Sequence, residues 1–303
     1  MDKSKTKSYI PQIIFIISLF IMLVFTGCFK SEKPGLFFLV TGNANGLIDP
    51  CDCEEGPMGG LAKRAALFQK LDPDGVAVRI ETGGTIDEFT DQKRFDSIVR
   101  ALRKMNYSVA LFSNLDTNLY EFAREAGDSV WLSTTGTAKS LRSVSEVIDL
   151  NIFTLTRNEV DYFTSLINNP DDQKSEQLFE IRFQSKWDKW SREKNLRSSQ
   201  NPVLNIWITY IEDELLNQFL KQVPVDEKPH FVLAGGCDWT VPVPDTLAGI
   251  PVFRPGVDGM DMLEVRVSLL NNDGWEIIPT WHEIGVDIPE DPGIKLILDS
   301  SLE

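Results

Sequence analysis

The chain has 303 residues, with 45 acidic against 30 basic side chains and a formal net charge of −15. Hydrophobic residues at 42% and charged ones at 25% exclude disorder and leave room for one large domain or two small ones, each able to bury a real core. The acid excess, with no basic stripe to offset it, argues against a nucleic-acid partner, and a total of two histidines, His230 and His282, removes most His-dependent catalysis and multi-histidine metal sites.

Lys3, Lys5 and Lys7 precede an apolar run from Ile13 to Phe25 broken only by Ser18. A helix of that length covers about 20 Å, short of the ~30 Å hydrocarbon core, so residues 1–27 read as a signal peptide and not as a span. The ending Val24-Phe25-Thr26-Gly27-Cys28 resembles the bacterial lipoprotein signal. That resemblance implies a lipidated Cys28 at the new N-terminus and a membrane partner reached through the anchor. It also implies residence in the cell envelope outside the cytoplasm. Phe29, standing where Asp would signal inner-membrane retention, fits outer-membrane sorting. Cys51, Cys53 and Cys237 then lie in a compartment that permits disulfides, and three is an odd number.

A tether over residues 28–35 leads into Leu36-Phe37-Phe38-Leu39-Val40, a continuous apolar run typical of a strand buried on both faces. The loop Thr41-Gly42-Asn43-Ala44-Asn45-Gly46 follows directly. Leu61, Ala65, Phe68 and Leu71 recur at helical spacing behind Gly59-Gly60. A second strand, Val76 to Ile80, ends in Glu81-Thr82-Gly83-Gly84-Thr85. Phe95, Ile98, Val99, Leu102 and Met105 form an amphipathic helix. A third strand, Ser108 to Phe112, ends in Ser113-Asn114-Leu115-Asp116. Strand, glycine-bearing loop and helix alternate, which predicts an α/β domain.

Val144 to Asp149 and Asn151 to Thr156 read as paired short strands. Residues 168–201 are polar and charged, anchored by Trp187 and Trp190 one helical turn apart, and read as a surface insertion. The alternation resumes with Leu204 to Thr209, a helix around Glu212 to Gln222, and His230 to Ala234 ending at Gly235-Gly236-Cys237. Ile250 to Phe253, Met262 to Leu269 and Trp275 to Ile278 read as closing strands. His282 is expected on the surface beyond the last of them and His230 as a structural residue. Residues 36–290 form the domain and 291–303 a C-terminal tail.

Gly59-Gly60-Leu61-Ala62-Lys63-Arg64, Gly83-Gly84, Ser113-Asn114-Leu115-Asp116, Gly235-Gly236-Cys237-Asp238-Trp239 and Pro255-Gly256 through Leu263 follow one another at strand ends. Their order and spacing resemble the calcineurin-like metallophosphoesterases, in the 5′-nucleotidase branch. The resemblance implies an α/β/β/α sandwich, two mixed sheets flanked by helices, with chemistry in loops beyond the strand ends. It also locates departures. A two-metal site needs bridging carboxylates and imidazoles. The D-x-H-G positions hold Asn43 and Asn45, the bridging Asp is Gly84, and the catalytic His is Leu115. The lone His falls near Tyr210, and the final histidines are Cys237 and Trp239, beside Asp238. Only Asn114 remains of the metal shell. The implied product is a phosphoesterase fold without its metals or other cofactor, acting in binding or scaffolding, as an accessory subunit beside an envelope protein partner.

The resemblance also brings Cys51-Asp52-Cys53 and Cys237 to one pocket. One reading is a disulfide from Cys51 or Cys53 to Cys237, since a C-x-C pair bonds only with strain. The other is an enzyme with a thiolate metal or thiol site at Cys51, Cys53 and Cys237, with Asp52 or Asp238 as a fourth ligand. The glycine pairs lack the P-loop spacing and its lysine, so they read as tight turns.

Overall fold

The computed structural model describes residues 35–111, 131–132, 139–142, 148–156, 202–236, 243–270 and 274–300, except 55 and 88. In chain order the strands of the first sheet are β1 (Gly35–Thr41), β4 (Val78–Glu81), β5 (Val109–Leu111), β6 (Trp131–Leu132), β13 (Asp261–Leu269) and β14 (Trp275–Glu283). They lie in the order β14-β13-β1-β4-β5-β6, with β1, β4, β5 and β6 parallel and β13 and β14 antiparallel. The second sheet contains β7 (Lys139–Arg142), β8 (Asp149–Thr156), β9 (Val203–Tyr210), β10 (Phe231–Gly235), β11 (Asp245–Leu247) and β12 (Ile250–Phe253). Its order is β11-β12-β10-β9-β8-β7, parallel through β12, β10, β9 and β8. A small hairpin pairs β2 (Cys51–Cys53) with β3 (Gly56–Met58).

Strand periodicity explains the layering. Leu36, Phe38 and Val40 of β1 face the space between the sheets, where they meet Ile80, Ile206, Ile208 and Phe231. Phe37 and Leu39 point the other way, toward α1 (Leu61–Leu71), α2 (Gln92–Lys104) and α4 (Pro292–Asp299). With both faces covered, the strand can be apolar without alternation. The outer face of the second sheet packs Phe153, Trp207 and Val232 with Leu216 and Phe219 of α3 (Asp213–Gln222). The layers are helix, sheet, sheet, helix, the expected α/β/β/α sandwich.

Caps set the helix starts. Asp91 accepts a hydrogen bond from the Arg94 amide at 2.8 Å to open α2, and Asp291 does the same for Ile294 at the head of α4, where Pro292 occupies the first turn. Asn106, at a φ of +56°, turns the chain out of α2.

Three expectations change. Residues 149–156 form one strand, β8, with no turn at 150: the segment carries no Gly or Pro there, and β9 pairs along its whole length; residues 144–147 of the expected first strand lie outside the described residues. The last strand runs on from Ile278 through Pro279 to Glu283, because β14 is an edge where a missing N–H costs no ladder bond. His282 therefore sits inside β14, half-buried, with Nε2 2.9 Å from Glu264 Oε2. The expected tail contains α4, whose Ile294 and Leu298 are buried against α1 and α2. His230 is structural as expected: its Nδ1 accepts from the Asn205 amide at 2.9 Å. The signal segment, Trp187, Trp190 and the 168–201 insertion lie outside the described residues.

Candidate functional site

Parallel strands from both sheets end at one edge of the sandwich. Their loops meet there. Asn43, two residues past β1, is 2% exposed and adopts a left-handed φ of +51°, a conformation asparagine tolerates. Its backbone N–H donates to Gly83 O at 2.8 Å, beyond β4. Its side chain donates through Nδ2 to Gly256 O at 2.9 Å and accepts at Oδ1 from the Gly236 N–H at 2.9 Å. One residue thus ties together four strand-end loops. Asn45, also left-handed at +48°, donates its N–H to Gly84 O at 2.7 Å and its Nδ2 to Asp258 Oδ1 at 3.2 Å.

Tyr210 closes the space above these loops. It is the last residue of β9 and lies opposite Gly235 in the register with β10. A Cβ built on Gly84 would come within 2.7 Å of Tyr210 Oη, and one on Gly83 or Gly235 within 2.8 Å of Tyr210 Cδ2. Gly84 has a φ of +69° and Gly83 of +107°, regions that L side chains rarely adopt. The ring occupies the space that side chains at these three positions would need.

Below the loops lies a buried charged network. Thr41, the last residue of β1, donates from Oγ1 to Glu81 Oε2 at 2.6 Å, and the same oxygen lies 2.7 Å from Tyr107 Oη. Arg64, on the first turns of α1, reaches Glu81 Oε2 at 2.9 Å and is fully buried, as is Glu81. Burial pushes the Glu81 carboxyl upward, with the Arg64 guanidinium pulling the other way, and burial raises the Tyr107 phenol to about 12. The network fixes the ends of β1 and β4 just where Asn43 and Gly83 depart. Lys63 anchors the neighbouring hairpin by donating to Pro57 O and, at 3.0 Å, to Gly285 O.

Of the residues picked out from the sequence, Asn43, Asn45 and Gly84 come together at this edge. Cys28, Asn114, Leu115, Cys237, Asp238 and Trp239, and the Cys53 side chain, lie outside what is described. Cys51, in the hairpin, is not a free thiol. Sequence reading missed the Arg64–Glu81 pair and the closure of the site by Tyr210. The available signals were Arg64 at the end of the Gly59-to-Arg64 motif and one aromatic residue beside two glycine pairs.

No family model matches the sequence, and no curated protein sequence matches it. Solved structures do. The Thermus thermophilus sulfate thiohydrolase SoxB superposes with a TM-score of 0.64 at 13% identity, covering 90% of this chain and 61% of that one. A 5′-nucleotidase precursor, also from Thermus thermophilus, gives 0.61 at 13% identity, covering 88% and 58%. The calcineurin-like phosphoesterase YfkN from Bacillus subtilis gives 0.55 at 11%, covering 89% and 97%. The fold is that of the 5′-nucleotidase-like metallophosphoesterases. The chain spans about three fifths of the length of the first two neighbours.

The metallophosphoesterase fold implies two metal ions at this edge, and the described residues do not fit them. Asn43 spends both side-chain polar atoms on backbone partners. Gly84 offers no side chain, and Tyr210 fills the place where one would project. Among the described residues, no cluster of three or more His, Cys, Asp or Glu could hold a metal ion.

Proposed function

We propose that the chain is a lipid-anchored extracytoplasmic pseudo-phosphoesterase with a binding or scaffolding role, an accessory subunit at a bacterial membrane surface. The observation that carries this reading is Asn43. In the position of a metal-binding carboxylate it presents an amide, and both ends of that amide are committed to Gly236 and Gly256. A carboxylate could not donate to Gly256 O, so the present loop geometry depends on the amide. Metal activation of water supplies most of the rate in such a site, and a chain that cannot hold the ions has little to work with.

The experiment is a phosphoesterase assay on nucleotides with added manganese, zinc or calcium. Background turnover is expected; turnover that rises with metal and is abolished by Asn114→Ala would overturn the reading. Anchoring rests on the basic residues, short apolar run and Gly27-Cys28. Cys28→Ser is expected to release the protein or leave an uncleaved precursor, and a variant that fractionates and migrates like the parent rejects the anchor. The engaged state of Cys51 supports a disulfide over the thiolate metal or thiol-enzyme alternative, and Cys237 is the partner this reading gives it. Unfolded, unreduced, delipidated protein should then titrate with one free thiol. Three free thiols would reject the bridge.

A further inference from the structure

We propose that Tyr210 and Asn43 together are this chain's built replacement for a metal centre, with the phenol ring filling the volume and the asparagine amide supplying the cross-links. The inference rests on the pseudo-phosphoesterase reading and deepens it, by saying what holds the emptied site in shape.

Where metal ions bind, their ligand bonds hold loops from different strands against one another, and binding energy becomes folding energy. Without them, buried backbone groups in those loops need other partners, because an unpaired buried N–H or C=O is costly. Asn43 meets that need at three loops outside its own: Gly83 O, Gly236 N–H and Gly256 O each take one of its polar groups, at 2.8, 2.9 and 2.9 Å. The bond to Gly83 comes from the backbone N–H, whereas both partners of the side-chain amide follow strands of the second sheet; Asn43 itself follows β1 of the first, so the amide works as a clasp across the sandwich.

A clasp alone would leave a void. Interiors tolerate few voids larger than a water molecule, and cavities left by missing side chains are destabilising. Tyr210 removes this one. Its ring is packed against Gly83, Gly84 and Gly235 so closely that a single methyl group on any of the three would fall within 3.0 Å of it. Three glycines around one aromatic ring are a large residue fitted into space cleared by small ones. The same contact makes the phenol and a carboxylate at position 84 mutually exclusive: the chain can carry the ring or the bridging ligand, and it carries the ring.

The test is a double-mutant cycle on the full mature chain between Gly84→Ala and Tyr210→Gly, read by thermal melting. Gly84→Ala in the parent combines left-handed strain with the clash on the ring; with the ring removed, only the strain remains. Tyr210→Gly alone should lower the melting temperature by about 5 °C. Gly84→Ala should then lower it further by a clearly smaller step than in the parent. Added p-cresol should raise the melting temperature of Tyr210→Gly and leave the parent unmoved. If Tyr210→Gly does not fold, Tyr210→Leu, which keeps bulk but not the plane, takes its place in the cycle.

Equal Gly84→Ala steps in both backgrounds, or a Tyr210→Gly protein as stable as the parent, would overturn the proposal. So would an Asn43→Asp protein whose lost stability returns with manganese or zinc, because the clasp would then be an ordinary ligand position. Metal-dependent turnover by the parent chain would instead remove the reading beneath it. An inert parent with no coupling would remove this inference alone.

Discussion

The layer beneath the strand ends and the loops above them are held together in opposite ways. Beneath, Arg64, Glu81, Thr41 and Tyr107 form a fully buried polar network that fixes the last residues of β1 and β4. Above, the positions that resemble metal ligands are amide, glycine and aromatic, joined by backbone hydrogen bonds and ring packing. The support rests on a buried ion pair, and Asn43, Gly83, Gly84 and Tyr210 above it carry no charge. The energy that positions these loops therefore lies in a buried pair outside the loops themselves.

The sharpest way to break this contrast is to attack the support. Arg64→Ala leaves Glu81 buried without its cation and should cost about 3–5 kcal/mol by urea unfolding. Replacing both partners together, Arg64→Met with Glu81→Leu, should recover most of that loss. A loss shared equally by single and double variants would show that the network supports nothing through its charge.

In the upper layer, Gly84→Asp should lose about 3 kcal/mol, from left-handed strain and overpacking against Tyr210, and should gain no stability from added manganese. Asn43→Ala should cost about 2 kcal/mol, since it leaves the Gly236 N–H and the Gly256 carbonyl without their partner. The two upper-layer losses should be smaller than the Arg64→Ala loss; the reverse order would mean that the clasp, and not the charged layer, carries the fold at this edge.

The smallest expected effect lies at the flank of the site. Asp261 faces Glu283 across β13 and β14, and burial, with that like charge added, raises its carboxyl to about 6. The folded value is above the unfolded one, so this group favours the native state at low pH and that contribution is lost as pH rises from about 4 through about 6. Asp261→Asn should therefore raise stability at pH 8 by about 1 kcal/mol, after discounting for its partial exposure, and change little at pH 4. An equal effect at both pH values would show that the charge is not the cause.

Continuous apolar runs make β1, β4 and β10 readable from sequence, and with them the loops that hold Asn43, Gly84 and Gly235, since a loop's place follows from its strand. What spacing could not show is which side chains meet across the chain. Arg64 and Glu81 pair from a helix and a strand, and Tyr210 reaches glycines 126 to 127 positions away in sequence by sitting at the end of a strand in the opposite sheet. The turn expected at residue 150 is absent because β9 pairs continuously with Asp149–Thr156, a length that the segment's own residues do not display. Helix α4 has its signal in Asp291-Pro292, a cap followed by a first-turn proline, but its two buried residues, Ile294 and Leu298, are too few to make a periodic pattern.

The position of β1 also sets an order of assembly. It lies between β4, which follows it closely, and β13, which begins at Asp261, more than two hundred residues later. The second sheet draws its parallel strands from 149–253, so its pairings can close while the end of the chain is still arriving. The first sheet cannot. Until residue 269 is available, one side of its first strand is an open edge, rich in Leu, Phe and Val, of the kind that templates pairing with other chains. During synthesis this strand is an unpaired edge, and a chain cut anywhere before β13 should aggregate through it.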